Sequence, residues 1–189
     1  MEDNKQIVQK QPSIKAPGYF LDPPPGELSS RIELPFQWQV TSFGQIETLA
    51  QINIASSAQL AKVISNFRHA KILELTAVLT PTSSASSNPV TVDLCWVPAN
   101  SSAAPSDIMN VYGGQKFTLG GPVTTNATIT VACPLGSVNC MVKDSVLYTD
   151  TPKLLAYSSN SSSQTTPSAT LQIRGRVLLS SPLLQPLTV

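Results

Sequence analysis

His69 is the one histidine in a chain rich in serine and threonine, and that limits the chemistry at once. A serine nucleophile needs a base that a third group orients. Here one imidazole is available and no Gly-x-Ser-x-Gly elbow occurs. Cys95, Cys133 and Cys140 form no Cys-x-x-Cys pair and stand at no ligand spacing from His69, so they read as reduced core thiols. A single histidine also falls short of the multi-histidine metal site that a cupin-type enzyme needs. The pairs Gly113-Gly114 and Gly120-Gly121 match neither Gly-x-Gly-x-x-Gly nor the phosphate-cradling loop, and read as turns. The expectation is a protein with no catalytic site, metal or cofactor, acting through its surfaces.

The chain carries 12 basic and 11 acidic residues, a net charge of +1. Such a balance gives no field that attracts nucleic acid or anionic lipid at long range. Charged residues are 12% of the chain against 41% apolar, too few to keep a whole monomer surface solvated, which suits contact between subunits. No run of about eighteen apolar residues occurs, so no membrane partner is expected. The polar opening Met-Glu-Asp-Asn-Lys-Gln does not read as a secretory signal. The Asn-x-Ser/Thr triplets at Asn100, Asn126 and Asn160 are expected by chance in so Ser/Thr-rich a chain.

Residues 1–31 hold Pro12, Pro17 and the Pro23-Pro24-Pro25-Gly26 run with few apolar groups, the composition of an arm that orders only against a neighbour. Lys5, Lys10 and Lys15 are offset there by Glu2, Asp3, Asp22 and Glu27, so the arm lacks the like-charge block of an electrostatic tail. Residues 32–189 form one domain of about eight short strands. Ile32 to Val40 alternates apolar and polar groups, as does Thr48 to Ala55. Ser56 or Ser57 caps a short helix with Leu60, Val63, Ile64 and Phe67 on one face. Strands follow at His69 to Leu79, Val90 to Val97, Gln115 to Leu119, Thr128 to Cys133, Lys153 to Tyr157 and Ala169 to Ser180. Thr82 to Asn88 is a loop, and Pro105 with Asp107 starts one helical turn before Tyr112. Connections of such uneven length fit an all-β, eight-stranded jelly-roll sandwich better than an up-and-down barrel.

Three separated stretches carry a family resemblance. Cys95-Trp96-Val97-Pro98-Ala99-Asn100-Ser101 is the first, and Tyr112-Gly113-Gly114-Gln115-x-Phe117 with Gly120-Gly121 is the second. The third is Val142-Lys143-Asp144-Ser145-Val146-x-Tyr148-x-Asp150-x-Pro152-Lys153-Leu154-Leu155. In this order they resemble tymovirus coat proteins, and the likeness covers nearly the whole chain. The resemblance implies a jelly-roll subunit that packs with copies of itself, in several quasi-equivalent environments, into a T=3 shell around single-stranded RNA. It implies an N-terminal arm on the inner surface and a shell held mainly by protein contacts. The expected location is the virion, and the host cytoplasm before assembly.

Trp96 divides between a core indole and an assembly anchor, because tryptophan's large area and one donor suit either place. Lys143 and Asp144 sit in what reads as a polar loop, where an exposed pair contributes little. In a repeated subunit Lys62, Arg68, Lys143, Asp144 and Asp150 can instead pair across boundaries, where losing one dehydrated partner is costly. His69 is either bonded to backbone or, by the resemblance, turned to the inner surface, where Lys10 and Lys15 of the arm are the other candidates to face RNA. Arg174 and Arg176, two apart on a strand, share a face open to phosphate or simply to solvent. Two other readings remain at this point: a cellular β-sandwich binding module with a disordered N-terminal linker, and the cupin-type enzyme.

Overall fold

A computed structural model describes residues 31–121, 127–136, 141–143 as backbone, 151–159 and 165–183. Residues 1–30 of the expected arm therefore lie outside the described residues, and Arg31, its last, opens the first strand. Among the described residues there are nine strands: β1 (Arg31–Phe43), β2 (Thr48–Asn53), β3 (Phe67–Pro81), β4 (Val90–Val97), β5 (Gln115–Leu119), β6 (Ile129–Ala132), β7 (Met141–Lys143), β8 (Lys153–Ser158) and β9 (Ala169–Pro182). One sheet runs β1-β9-β3-β6, with β7 also paired to β3, and the other runs β2-β8-β4-β5. All of these pairs are antiparallel. Since β1 and β2, β2 and β3, β3 and β4, and β8 and β9 fall in opposite sheets, the chain crosses repeatedly between the two layers, the winding of a jelly roll.

The core lies between the sheets. Leu34, Phe36, Trp38 and Val40 of β1 point into it, as do Ile72, Leu75, Ala77 and Leu79 of β3 and Leu171, Ile173, Val177 and Leu179 of β9. Val90, Val92, Leu94 and Trp96 of β4, with Leu154 and Ala156 of β8, meet them from the other layer. This period of two turns the alternate residues outward. Glycine at 175 is required by close approach, because a Cβ there would strike the Glu74 carbonyl and the Phe36 ring.

Helix α1 (Ala58–Ile64) starts where Ser57 accepts a hydrogen bond from the Leu60 N–H at 3.4 Å, and it buries Leu60 and Ile64. Phe67 opens β3 instead of closing the helix, because Asn66 accepts from Leu183 and the chain pairs at once with β9. Sheet pairing thus ends a pattern whose spacing alone fits a further turn. Lys143 requires a second correction: its backbone pairs with Ala70 as part of a strand, not a loop. Three residues are too few to show alternation. Within the expected loop, Ser83–Ser86 forms a 3-10 turn.

Candidate functional site

The two outer faces of the sandwich differ. The β2-β8-β4-β5 sheet is covered by the segment 98–114, whose 3-10 helix (Pro105–Asn110) seats Ile108 against Cys95, Val97 and Leu155 in a second apolar cluster. Lys153, only 7% exposed, donates from Nζ to the Ser101 carbonyl at 2.7 Å and ties the segment to β8. Cys95 and Cys133 are buried free thiols. Burial raises both pKa values, that of Cys133 to about 12, which keeps them protonated and unreactive.

The β1-β9-β3 face is open. Arg174 and Arg176 are both exposed on it, as their spacing requires. Arg176 bonds Glu74 at 3.0 Å through Nε and Glu33 through Nη1. The Glu74 hydrogen bond, then the Glu33 charge, raise its pKa. Arg174 has no carboxylate partner among the described residues. Glu33 and Glu74 are far apart in sequence from Arg176, so no motif announces this ion-pair group; only the register of β1 and β3 against β9 assembles it.

Of the assembly candidates, Trp96 is placed in the core at 6% exposure, and its Nε1–H donates to the Val131 carbonyl at 3.1 Å. That is the place of a core indole. Its edge still borders a depression of about 510 Å³ with Pro98, Val111, Tyr112, Val131 and Pro134, and Tyr112 beside it is fully exposed. Lys62, in the last turn of α1, and Arg68, near the start of β3, are exposed. Pairing of Lys143 with Ala70 brings the end of β7 to within two residues of Arg68 along β3. His69 is half-buried on β3 opposite Ser180. Asp144, Asp150, Lys10 and Lys15 lie outside the described residues.

Known proteins of the same shape supply the context for these surfaces. The curated capsid protein of Eggplant mosaic virus is 52% identical to this chain over 98% of it and 99% of its own length. In the structure of Desmodium yellow mottle tymovirus, a chain 39% identical superposes with a TM-score of 0.82, covering 88% of this chain and 96% of that one. A structure of empty-head Turnip yellow mosaic virus gives 33% identity and a TM-score of 0.81, covering 87% of this chain and 88% of that one. The family described as tymovirus coat protein matches residues 20–187, so the open sheet face and the covered one are the two sides of one capsid jelly roll: this chain belongs to the tymovirus coat protein family.

Proposed function

We propose that this chain is the subunit of a T=3 icosahedral shell that encloses single-stranded genomic RNA, is held mainly by protein contacts and performs no catalysis. The observation that carries the reading is the agreement in fold with the Desmodium yellow mottle tymovirus chain over nearly the full length of both. The mechanism is symmetric burial: each interface is modest, and closure repeats it until the whole is stable. Lys62, Arg68, Lys143, Asp144 and Asp150 are the charged groups assigned to subunit boundaries. Trp96 serves those boundaries by fixing the wall of the 510 Å³ depression beside Tyr112. His69, Lys10 and Lys15 are assigned to the RNA side.

The near-neutral net charge supports stability that does not depend on RNA, and so does the existence of Turnip yellow mosaic virus as an empty head. Small cations or polyamines then neutralise most of the RNA charge. The protein passes from host cytoplasm to virion as it assembles. Electron microscopy of the full-length protein expressed alone tests the reading: closed shells whose reconstruction shows T=3 symmetry support it, and a monodisperse monomer under assembly conditions refutes it.

A further inference from the structure

The small net charge conceals an uneven distribution. On the outward face of the β1-β9-β3 sheet, the register places Gln37, Arg174 and Thr76 in one row, Pro35, Arg176 and Glu74 in the next, then Glu33, Leu178 and Lys71, and last Arg31, Ser180 and His69. Arg31, Lys71, Arg174 and Arg176 stand there against Glu33 and Glu74. The opposite face, with the segment that covers it, carries Glu47, Asp93 and Asp107 against Lys116 and Lys153. One side of the sandwich is therefore basic and the other slightly acidic among the described residues.

The glutamates do not neutralise the basic face evenly. Both close on Arg176, which leaves Lys71 and Arg174 exposed and without a carboxylate partner among the described residues. Their separation by two rows of the sheet is several ångströms, so each can meet a different phosphate of one strand. Beside Arg174 a shallow depression of about 420 Å³ is lined by Pro35, Phe36, Gln37, Glu74, Arg174, Gly175 and Arg176. Around it the face presents neutral polar groups such as Gln37, which donates to Gln172 at 3.3 Å, while Thr76 in the same row is buried. In these rows the half-buried His69, at the far end from Arg174, is the aromatic side chain, so the face offers little of the stacking platform that would hold bases. It suits phosphate and ribose, which position a strand without reading its sequence.

We propose that the outward face of the β1-β9-β3 sheet is the surface that holds the enclosed RNA, with Lys71 and Arg174 as its phosphate-binding residues and Arg176 kept from that role by Glu33 and Glu74. This rests on the reading of the chain as an RNA-enclosing coat subunit. It assigns the contact to the folded body of the subunit, independently of the arm's lysines.

The test compares full-length wild type with Lys71→Gln/Arg174→Gln and with the charge-retaining Lys71→Arg/Arg174→Lys. Shells from each are treated with nuclease and purified, and the RNA extracted per mass of protein is measured. The glutamine pair is expected to close into shells of wild-type size holding roughly half the wild-type RNA or less, because each subunit loses both phosphate contacts; the charge-retaining pair is expected to match wild type. Equal RNA in the glutamine pair overturns the assignment, as does RNA loss in the charge-retaining pair. A glutamine pair that fails to close while the charge-retaining pair closes overturns it too, by making this face a contact between copies. Wild-type shells that hold no RNA refute the enclosure reading itself, a result distinct from wild-type and variant shells holding RNA alike.

Discussion

Trp96 of β4 donates its indole N–H to the carbonyl of Val131 in β6 at 3.1 Å, a bond that joins one sheet of the sandwich to the other. The ring is 6% exposed and lies in the main core cluster. A residue whose type also suits an assembly anchor thus serves as an internal fastener between the two sheets.

Trp96→Ala should destabilise the subunit by about 3–5 kcal/mol, the range for removing a large buried aromatic. Trp96→Phe keeps most of the packing but leaves the Val131 carbonyl without its donor, and should lose about 1–3 kcal/mol. Urea unfolding of dissociated subunits measures both. Equal stability of all three proteins would place the indole outside the core.

Lys153→Met should loosen the segment 98–114 while sparing the sheet beneath. The Nζ bond to Ser101 is lost, but Ile108 still packs on Cys95, Val97 and Leu155. Faster amide exchange is expected in residues 98–104 with β8 unchanged, since local opening draws on local contacts. Uniform acceleration across β4 and β8 would show that Lys153 holds the whole sheet instead.

The two buried thiols make alkaline stability pH-dependent. Burial raises the folded pKa of Cys133 from 9.0 to about 12, and that of Cys95 also lies above 9.0. Between those limits the unfolded chain loses thiol protons that the folded chain keeps. The contribution is thus complete below pH 9.0 and declines as pH rises towards about 12. Folded subunits should resist alkylation by iodoacetamide at Cys95 and Cys133 at pH 8, and unfolded ones should react. Rapid labelling of folded protein at Cys133, mapped by mass spectrometry, would contradict the burial.

Deletion of residues 1–30 should leave the sandwich intact, because the apolar residues of β1 (Arg31–Phe43) pack on the core between the sheets. The far-ultraviolet circular dichroism of the truncated protein, scaled for length, should keep its β character. A truncated chain that cannot fold even as a monomer would move the domain boundary into the first thirty residues.

Most strands are legible in the sequence because one face of each is buried and a period of two survives in the residues, as from Leu34 to Val40. Phe67 escapes that reading because helical spacing and strand pairing compete for it, and β9 decides. Lys143 escapes it because a three-residue strand has no period. The site divides on the same principle. Arg174 and Arg176 show their common face by spacing alone, whereas the capture of Arg176 by Glu33 and Glu74 depends on two registers that no local pattern contains. Lys153 gives no sign of its burial, since its partner is a backbone carbonyl and a carbonyl is the same in every residue.

Whether subunit contacts alone hold the shell is the central question, and composition argues that they do, since an excess of one positive charge per chain gives little electrostatic attraction for RNA. The direct measurement is analytical sedimentation of shells, made from the full-length protein expressed alone, after nuclease digestion and in molar salt. Intact particles sedimenting as closed shells, empty or filled, are the expected result. Conversion to slowly sedimenting subunits once the RNA is digested or the salt is raised would contradict the account.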